Sequence, residues 1–151
     1  MSTIEPAEQL ALVLSTNGMQ RSTARVLAAF LFTDEPSLTL GDVVELLGIS
    51  AGSASTAIRS LRNVGLLEQT PAPGSRRDHF RMRERAWETL FTTQNEAVRG
   101  MREAAELGLK TIKPDSPARQ RLEYMRGFYD YLFTEIPGLV DRWRSNPSDD
   151  H

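Results

Sequence analysis

The chain has 151 residues, 40% hydrophobic and 25% charged, a balance typical of a globular protein, and its net charge of −2 excludes a uniformly basic surface. It contains no cysteine, which excludes disulfides, thiolate metal sites and thiol chemistry and fits a cytoplasmic protein. The N-terminus has no basic region ahead of an apolar stretch, and no apolar run approaches the roughly 20 residues that span a bilayer, so we expect neither a signal peptide nor a membrane partner.

Two helices are predicted at the start of the chain. Residues 6–16 follow a broad apolar pattern that opens with a proline in the first turn. Residues 20–32 place their large apolar side chains on one face. The sequences TNG and TDEP end these helices, and the following SLTL at 37–40 is predicted to pair briefly as a strand.

A helix-turn-helix is predicted between residues 39 and 63. Thr39 and Asp42 have the spacing of a capping box that starts a short helix, and Gly48 ends it because glycine readily adopts the left-handed conformation. Ser50 is well placed to cap the next helix, which runs to about Asn63. Two short helices joined by such a tight turn are typical of a helix-turn-helix.

A β-hairpin is predicted directly after this pair of helices. LLEQTP at 66–71 and HFRM at 79–82 are the predicted strands. The Pro/Gly turn APGSRRD at 72–78 joins them and carries Arg76 and Arg77. The predicted fold is therefore mainly α with a small β-hairpin (α+β), a winged helix-turn-helix flanked by N- and C-terminal helices.

Two long amphipathic helices are predicted in the second half, from about residue 83 to 109 and from Pro117 onward. Pro137 and Gly138 are expected to kink or interrupt the second of them. The apolar stripes exceed what a small winged core can cover, which favours dimerisation over a monomeric helical core. We expect an N-terminal dimerisation helix at 1–17, a winged helix-turn-helix domain at 18–84, C-terminal dimerisation helices at 85–145 and a disordered tail at 146–151.

The segment SAGSASTAIRSLR at 50–62 has an unusual outer face for a helix. Spaced at 100° per residue, Ala54, Ile58 and Leu61 fall on the inward side, with Ala57 at its edge. The outer side and flanks carry short polar residues and arginines: Gly52, Ser53, Ser55, Thr56, Arg59, Ser60, Arg62 and Asn63. A helix that enters a major groove about 12 Å wide needs such a face, and the amides near Ser50 can hold a phosphate. The alternative is a small-residue helix packed against another helix.

The charge distribution separates these alternatives. Residues 50–85 contain seven arginines and three acidic residues, a net charge of +4 within an otherwise acidic chain. Arginine binds phosphate or a guanine edge bidentately, which lysine cannot do. A capped helix and glycine turn before the small-residue helix, and a hairpin with arginines after it, together favour DNA binding over a merely solvated charged face.

Several of these motifs resemble one family of bacterial regulators. Gly18 with Arg21 and Arg25, the stretch LGISAGSASTAIRSLRNVGLLE and the turn-strand PGSRRDHFRM are similar to the MarR superfamily of transcription regulators, in particular its GbsR-like branch. The resemblance covers about half of the chain directly. Thr56 departs from it, because many relatives carry arginine or a long polar residue there.

The resemblance implies a repressor that binds a pseudo-palindromic operator in duplex DNA as a homodimer. Ser53, Ser55, Thr56 and Arg59 would face base edges, Ser50 and Arg62 would hold phosphates, and Arg76 and Arg77 would lie in or over the minor groove. With Gly52, these residues form the expected DNA-binding set.

The resemblance also implies release of the DNA by a small, apolar or aromatic effector. Trp87, Phe91, Tyr124 and Phe128 are the candidate lining residues, with an ordinary core as the alternative for each.

Catalysis is not expected. The sequence has no phosphate-binding glycine loop and no nucleophile motif, and its two histidines, His79 and His151, do not form a metal-ligand pattern with nearby carboxylates. We therefore expect no enzyme activity, cofactor or metal. The remaining alternative to a DNA-binding regulator is a winged-helix module that binds protein partners and not DNA.

Overall fold

The computed structural model describes residues 4–145, with the side chains of residues 4 and 92–97 excepted; the predicted tail at 146–151 lies outside the described residues. The elements are α1 (Ile4–Thr16), α2 (Arg21–Phe32), β1 (Leu38–Thr39), α3 (Leu40–Leu47), α4 (Ala51–Asn63), β2 (Leu67–Thr70), β3 (His79–Met82), α5 (Ala86–Leu109) and α6 (Pro117–Arg144). This order confirms the predicted fold class. None of the helices in this part of the chain is long and apolar enough to cross a membrane.

The three strands form one antiparallel sheet in the order β1-β3-β2. In the hairpin, Leu67 lies opposite Met82 and Thr70 lies opposite His79. The short β1 pairs with the same central strand, with Thr39 also opposite His79. The brief strand predicted at SLTL is therefore confirmed, and it attaches the hairpin to the segment that starts α3.

By its internal contacts the chain divides into two compact units, Met1–Leu90 and Phe91–His151. The first contains α1 to β3 and the beginning of α5, and the second contains the rest of α5 and α6. The finer functional division into residues 1–17, 18–84 and 85–145 stays a prediction.

The core of the first unit lies between α2, α4 and the sheet. Its largest fully buried side chains are Leu27, Leu61, Leu66, Leu67, Val26 and Val43. Helix α4 buries Ala54, Ala57, Ile58 and Leu61, which confirms the inward face predicted from its periodicity. Small residues on that face let α4 pack against α2 and leave its opposite side to solvent.

The caps of α3 follow the predicted chemistry. The Thr39 hydroxyl accepts a hydrogen bond from the Asp42 N–H at 3.1 Å, and the Asp42 carboxylate accepts one from the Thr39 N–H at 2.9 Å. Gly48 ends the helix with φ of 65°, in the left-handed region that glycine adopts without strain. The turn to α4 is thus fixed by local interactions.

Arg25, one of the residues that carry the family resemblance, joins three helices of the first unit. Its Nε donates to the Glu8 carboxylate of α1 at 3.2 Å, and its Nη2 donates to the Leu47 carbonyl at the end of α3 at 3.2 Å. A cation at the carbonyl end of a helix also interacts favourably with the helix dipole. Arg25 therefore holds α3 against α1 and α2.

The Asp42 carboxylate makes stability depend on pH. The Thr39 N–H lowers the pKa of Asp42; burial opposes this, whereas the Thr39 hydroxyl and the charges of His79 and Arg77 add to it. The pKa of Asp42 in the folded protein therefore lies below its unfolded value of about 3.9. The ionised carboxylate stabilises the folded protein above that value, and the stabilisation is lost as pH falls through the folded pKa. We expect Asp42→Asn to lower the free energy of unfolding at about pH 7, and the difference from wild type to shrink towards about pH 2.

Urea denaturation at a series of pH values measures this difference. An equal loss of stability at every pH would show that the charge of Asp42 does not contribute to the free energy of unfolding. The shape and the hydrogen bonds of the side chain would then account for the whole effect.

Charged side chains join the two helices of the second unit. Arg102 of α5 pairs with Asp130 of α6 and lies 3.6 Å from Glu106 of its own helix. Arg126 of α6 also approaches Glu106, at 3.9 Å.

Helix α6 corrects one prediction. It was expected to be kinked or interrupted at Pro137 and Gly138, but it is helical without interruption from Pro117 to Arg144, with Pro137 inside it. A proline removes only one N–H donor and disturbs only the preceding turn, so a long helix with its other hydrogen bonds intact can continue past it. The interruption is therefore wrong. The start of α6 is as predicted, because the Ser116 hydroxyl accepts from the Ala118 N–H.

Arg119 stabilises the α5–α6 connection. Its Nη2 donates to the carbonyls of Leu109 at 2.6 Å and Ile112 at 2.7 Å, and its Nε donates to the Lys113 carbonyl at 3.2 Å. We expect Arg119→Met to lower the free energy of unfolding by about 2 kcal/mol, because carbonyls at a helix end lose a charged donor. Thermal unfolding measures the effect, with the exposed Arg121→Met as the control for charge. Equal melting temperatures for the two variants would contradict this role.

Candidate nucleic-acid interface

The outer side of α4 is open to solvent in the single chain. Gly52, Ser53, Thr56 and Arg59 are exposed, and Ser55 is half-buried. The side chains between them are short, so a backbone or a base edge can approach the helix closely. The residues predicted to face bases thus lie on one accessible surface.

The N-terminus of α4 is more constrained than the sequence indicates. The Ser50 hydroxyl accepts from the Ser53 N–H at 3.1 Å and donates to the Ser53 hydroxyl at 3.0 Å. The first intrahelical bond runs from the Ala54 N–H to the Ser50 carbonyl, so the amides of Ala51 and Gly52 precede it and point out of the helix end. The Ser50 hydroxyl is therefore occupied as a cap, and the N–H groups of Ala51 and Gly52 are the ones that point out of this helix end.

The C-terminal half of α4 and the hairpin together line a basic depression. Its lining residues are Arg59, Arg62, Asn63, Leu67, Glu68, Gln69 and Arg83. The guanidinium of Arg62 lies over the Phe80 ring of β3, 5.5 Å from its centroid, which fixes that arginine against the sheet. The depression brings two predicted residues, Arg59 and Arg62, together with one further cation, Arg83, which follows β3.

Of the residues that line this depression, only Arg59 and Arg62 belong to the predicted set, and the polar residues Asn63 and Arg83 are the additions relevant to binding. Asn63 falls on the same face of α4 as Arg59, and that spacing was visible in the sequence. Arg83 follows β3 and reaches the depression because its N–H donates to the Leu66 carbonyl at 2.9 Å, a long-range pairing that no local pattern reveals. Its neighbour Arg81 is instead paired with Glu68 at 2.9 Å.

The wing consists of β2, β3 and the loop between them. Gly74 turns the loop with φ of 86°, and the Gln69 side chain donates to the Asp78 carboxylate at 3.0 Å. Arg76 and Arg77 are both exposed, but they are not equivalent. The Nη1 atom of Arg77 lies 3.6 Å from the position of a Cβ on Gly41, at the start of α3, and its charge acts on Asp42. Arg77 is thus directed towards α3.

The four candidate effector residues are exposed within their own units. Trp87 belongs to the first unit, and Phe91, Tyr124 and Phe128 belong to the second. Their exposed fractions range from 41% for Phe91 to 79% for Tyr124. Phe128 makes an edge-to-face contact with Tyr129, 5.2 Å between centroids. The effector role of these residues stays a prediction.

Comparison with known proteins gives two family models and several relatives. Residues 17–78 match a model of the MarR family, and residues 85–146 match a model of MmpR5-like MarR family transcriptional regulators. The HTH-type transcriptional regulator MmpR5 of Mycobacterium tuberculosis is 25% identical over 97% of this chain and 90% of its own.

Solved structures agree with this fold. A crystal structure of a transcriptional regulator superposes with a TM-score of 0.85 at 25% identity, over 95% of this chain and 99% of its own. TrmBL2, an archaeal chromatin protein, shares the fold at 19% identity with a TM-score of 0.50, over 74% of this chain and 44% of its own. A model of this family matches a part of each half of the sequence, so the chain is similar to MarR family transcriptional regulators over residues 17–78 and 85–146.

Proposed function

We propose that the protein binds an operator in duplex DNA as a homodimer, with α4 of each copy in a major groove and the wing along the adjacent backbone or minor groove. The observation that carries this proposal is the exposed outer side of α4, which is lined by short polar side chains and continues into the basic depression of Arg59, Arg62 and Arg83. A long or apolar outer face would not fit a groove.

The exposure of that surface supports the following residue roles. Ser53, Ser55, Thr56 and Arg59 face base edges, and Arg62 and Arg83 contact phosphates at the end of the helix. The Ala51 and Gly52 amides take the phosphate role that the sequence assigned to Ser50, since the Ser50 hydroxyl caps the helix. Arg76 and Arg77 meet the minor groove or its backbone, with Arg76 the freer of the two.

Each unit exposes apolar side chains that support a homodimer. In α1, Leu12 and Val13 are 67% and 57% exposed. In the second unit the exposed apolar residues are Phe91, Met101, Leu107, Tyr124, Phe128, Tyr131, Leu139 and Trp143. Patches of this kind on both units are typical of an interface between subunits. A two-fold dimer presents two copies of α4 to two half-sites.

The further details of the proposal rest on the family resemblance. The protein acts as a cytoplasmic repressor without a catalytic step, and a small apolar or aromatic effector bound near Trp87, Phe91, Tyr124 and Phe128 releases it from DNA. The resemblance of the wing and of the α4 sequence supports the proposal that the protein falls within the GbsR-like branch.

Selection of bound sequences from a random duplex pool tests this proposal. We expect a two-fold symmetric consensus whose half-sites are separated by about one helical turn or a multiple of it. If the intact protein enriches no sequence and retains no duplex at roughly 50 mM salt, it does not bind DNA. A winged-helix module for protein partners would then be the better account.

A further inference from the structure

His79 lies where the three strands of the sheet meet. It is the first residue of β3 and stands opposite Thr39 of β1 and Thr70 of β2. The wing loop ends at this residue, and its side chain is half-buried. His79 is therefore placed between the fixed sheet and the loop that carries the two arginines.

Both ring nitrogens of His79 have hydroxyl partners. Nδ1 lies 2.9 Å from the Ser37 hydroxyl, which precedes β1, and Nε2 lies 3.0 Å from the Ser75 hydroxyl in the wing loop. A neutral imidazole donates at one nitrogen and accepts at the other, and a hydroxyl can do either, so both tautomers satisfy both bonds. The ring therefore bridges the base of the sheet to the loop.

The Ser75 hydroxyl connects His79 to the part of the loop that carries the two arginines. It also accepts from the Arg77 N–H at 3.2 Å, while the Ser75 N–H donates to the Ala72 carbonyl at 3.0 Å. Arg76 lies between Ser75 and Arg77, whose hydrogen bonds hold the backbone on either side of it. Surface loops rich in glycine and proline are otherwise mobile.

We propose that His79 is a positioning residue of the DNA-binding surface, which holds the wing loop through Ser37 and Ser75 so that Arg76 and Arg77 are presented to DNA before it binds. This inference rests on the proposed DNA binding. If the bridge is lost, the loop and its two arginines must become ordered when DNA binds, and this ordering costs affinity. We expect loss of the bridge to weaken DNA binding roughly three- to tenfold.

A double-mutant cycle tests the role of His79. His79→Phe keeps an aromatic ring and removes both hydrogen bonds of the imidazole. Ser75→Ala removes the bond between the ring and the loop, together with the acceptor of the Arg77 N–H, and leaves the bond between His79 and Ser37. Binding to a fluorescent duplex of about 30 base pairs is measured at roughly 50 mM salt, with thermal melting to confirm folding. Each variant is made in the wild-type chain and in one carrying Arg76→Ala and Arg77→Ala.

In the wild-type chain we expect His79→Phe and Ser75→Ala each to weaken duplex binding roughly three- to tenfold. In the chain without Arg76 and Arg77 we expect neither to weaken it further. An equal loss in both backgrounds, or no loss in the wild type, would overturn the positioning role while DNA binding itself stands. If His79→Phe does not fold, Ser75→Ala alone decides between these outcomes. Failure of the wild-type chain to bind the duplex would overturn the proposed function, and this inference with it.

Discussion

Replacing Arg59 and Arg62 together by alanine is expected to weaken duplex binding by roughly 100-fold at about 100 mM salt and to lower the slope of log K against log salt by about one. Arg62 meets a phosphate and releases about one condensed counterion, so its loss reduces the salt dependence by nearly one, whereas the loss of Arg59 removes a contact to base edges. Both side chains line the same depression beside the wing, and Arg62 is already held over Phe80, so little ordering is needed on binding.

The matched control is Arg21→Ala with Arg121→Ala. Both arginines are exposed, and their removal changes the net charge by the same amount. Fluorescence anisotropy across a salt series compares the two double variants, and melting curves show whether loss of the Arg62–Phe80 contact has affected folding. If both variants lose the same affinity, net charge and not the surface of α4 governs binding.

Replacing Gly65 by alanine is expected to lower the free energy of unfolding by about 3 kcal/mol, because a left-handed conformation and a steric overlap add together. Gly65 is buried after α4 with φ of 84°, and its N–H donates to the Arg62 carbonyl at 3.0 Å. A Cβ at this position would overlap the Cγ2 methyl of Thr89 at the start of α5. Urea denaturation at constant pH measures the change.

Gly48→Ala provides the comparison for Gly65. Gly48 also has positive φ, at 65°, but no atom lies within 4 Å of a Cβ built there, so only backbone strain of about 1 kcal/mol is expected. Thr89→Ser removes the overlapping methyl and keeps the hydroxyl that donates to the Arg85 carbonyl. Gly65→Ala combined with Thr89→Ser should therefore recover at least about 1 kcal/mol. Equal losses at Gly48 and Gly65 would contradict the overlap.

Much of the fold could be predicted because its signals are local. The capping box of Thr39 and Asp42, the left-handed Gly48 and the cap at Ser50 each depend on residues within one turn, so their spacing in the sequence suffices. The buried side of α4 follows from the helical period, because the same residues that form the helix decide which side is apolar.

The parts of the interface that escaped prediction depend on long-range pairing. Arg62 stacks on Phe80, Arg81 pairs with Glu68, and Arg77 turns towards α3 because the register of β3 against both of its neighbours brings these residues together. A one-residue change of register would move Phe80 and Arg81 to the other faces of the sheet, away from Arg62 and Glu68. The sequence reveals the hairpin but not this register.

The most direct measurement of the central claim uses the absence of cysteine from the chain. Thr56→Cys places a single thiol on the outer side of α4, and Gln120→Cys places one on the exposed surface of α6. The rate of maleimide modification is measured for each with and without a saturating duplex, and anisotropy confirms binding in the same sample. A groove about 12 Å wide shields what lies within it, so we predict that the duplex slows modification at position 56 by at least about tenfold and leaves position 120 unchanged. Equal rates at position 56 with and without bound duplex would contradict the claim that α4 is the DNA-reading helix.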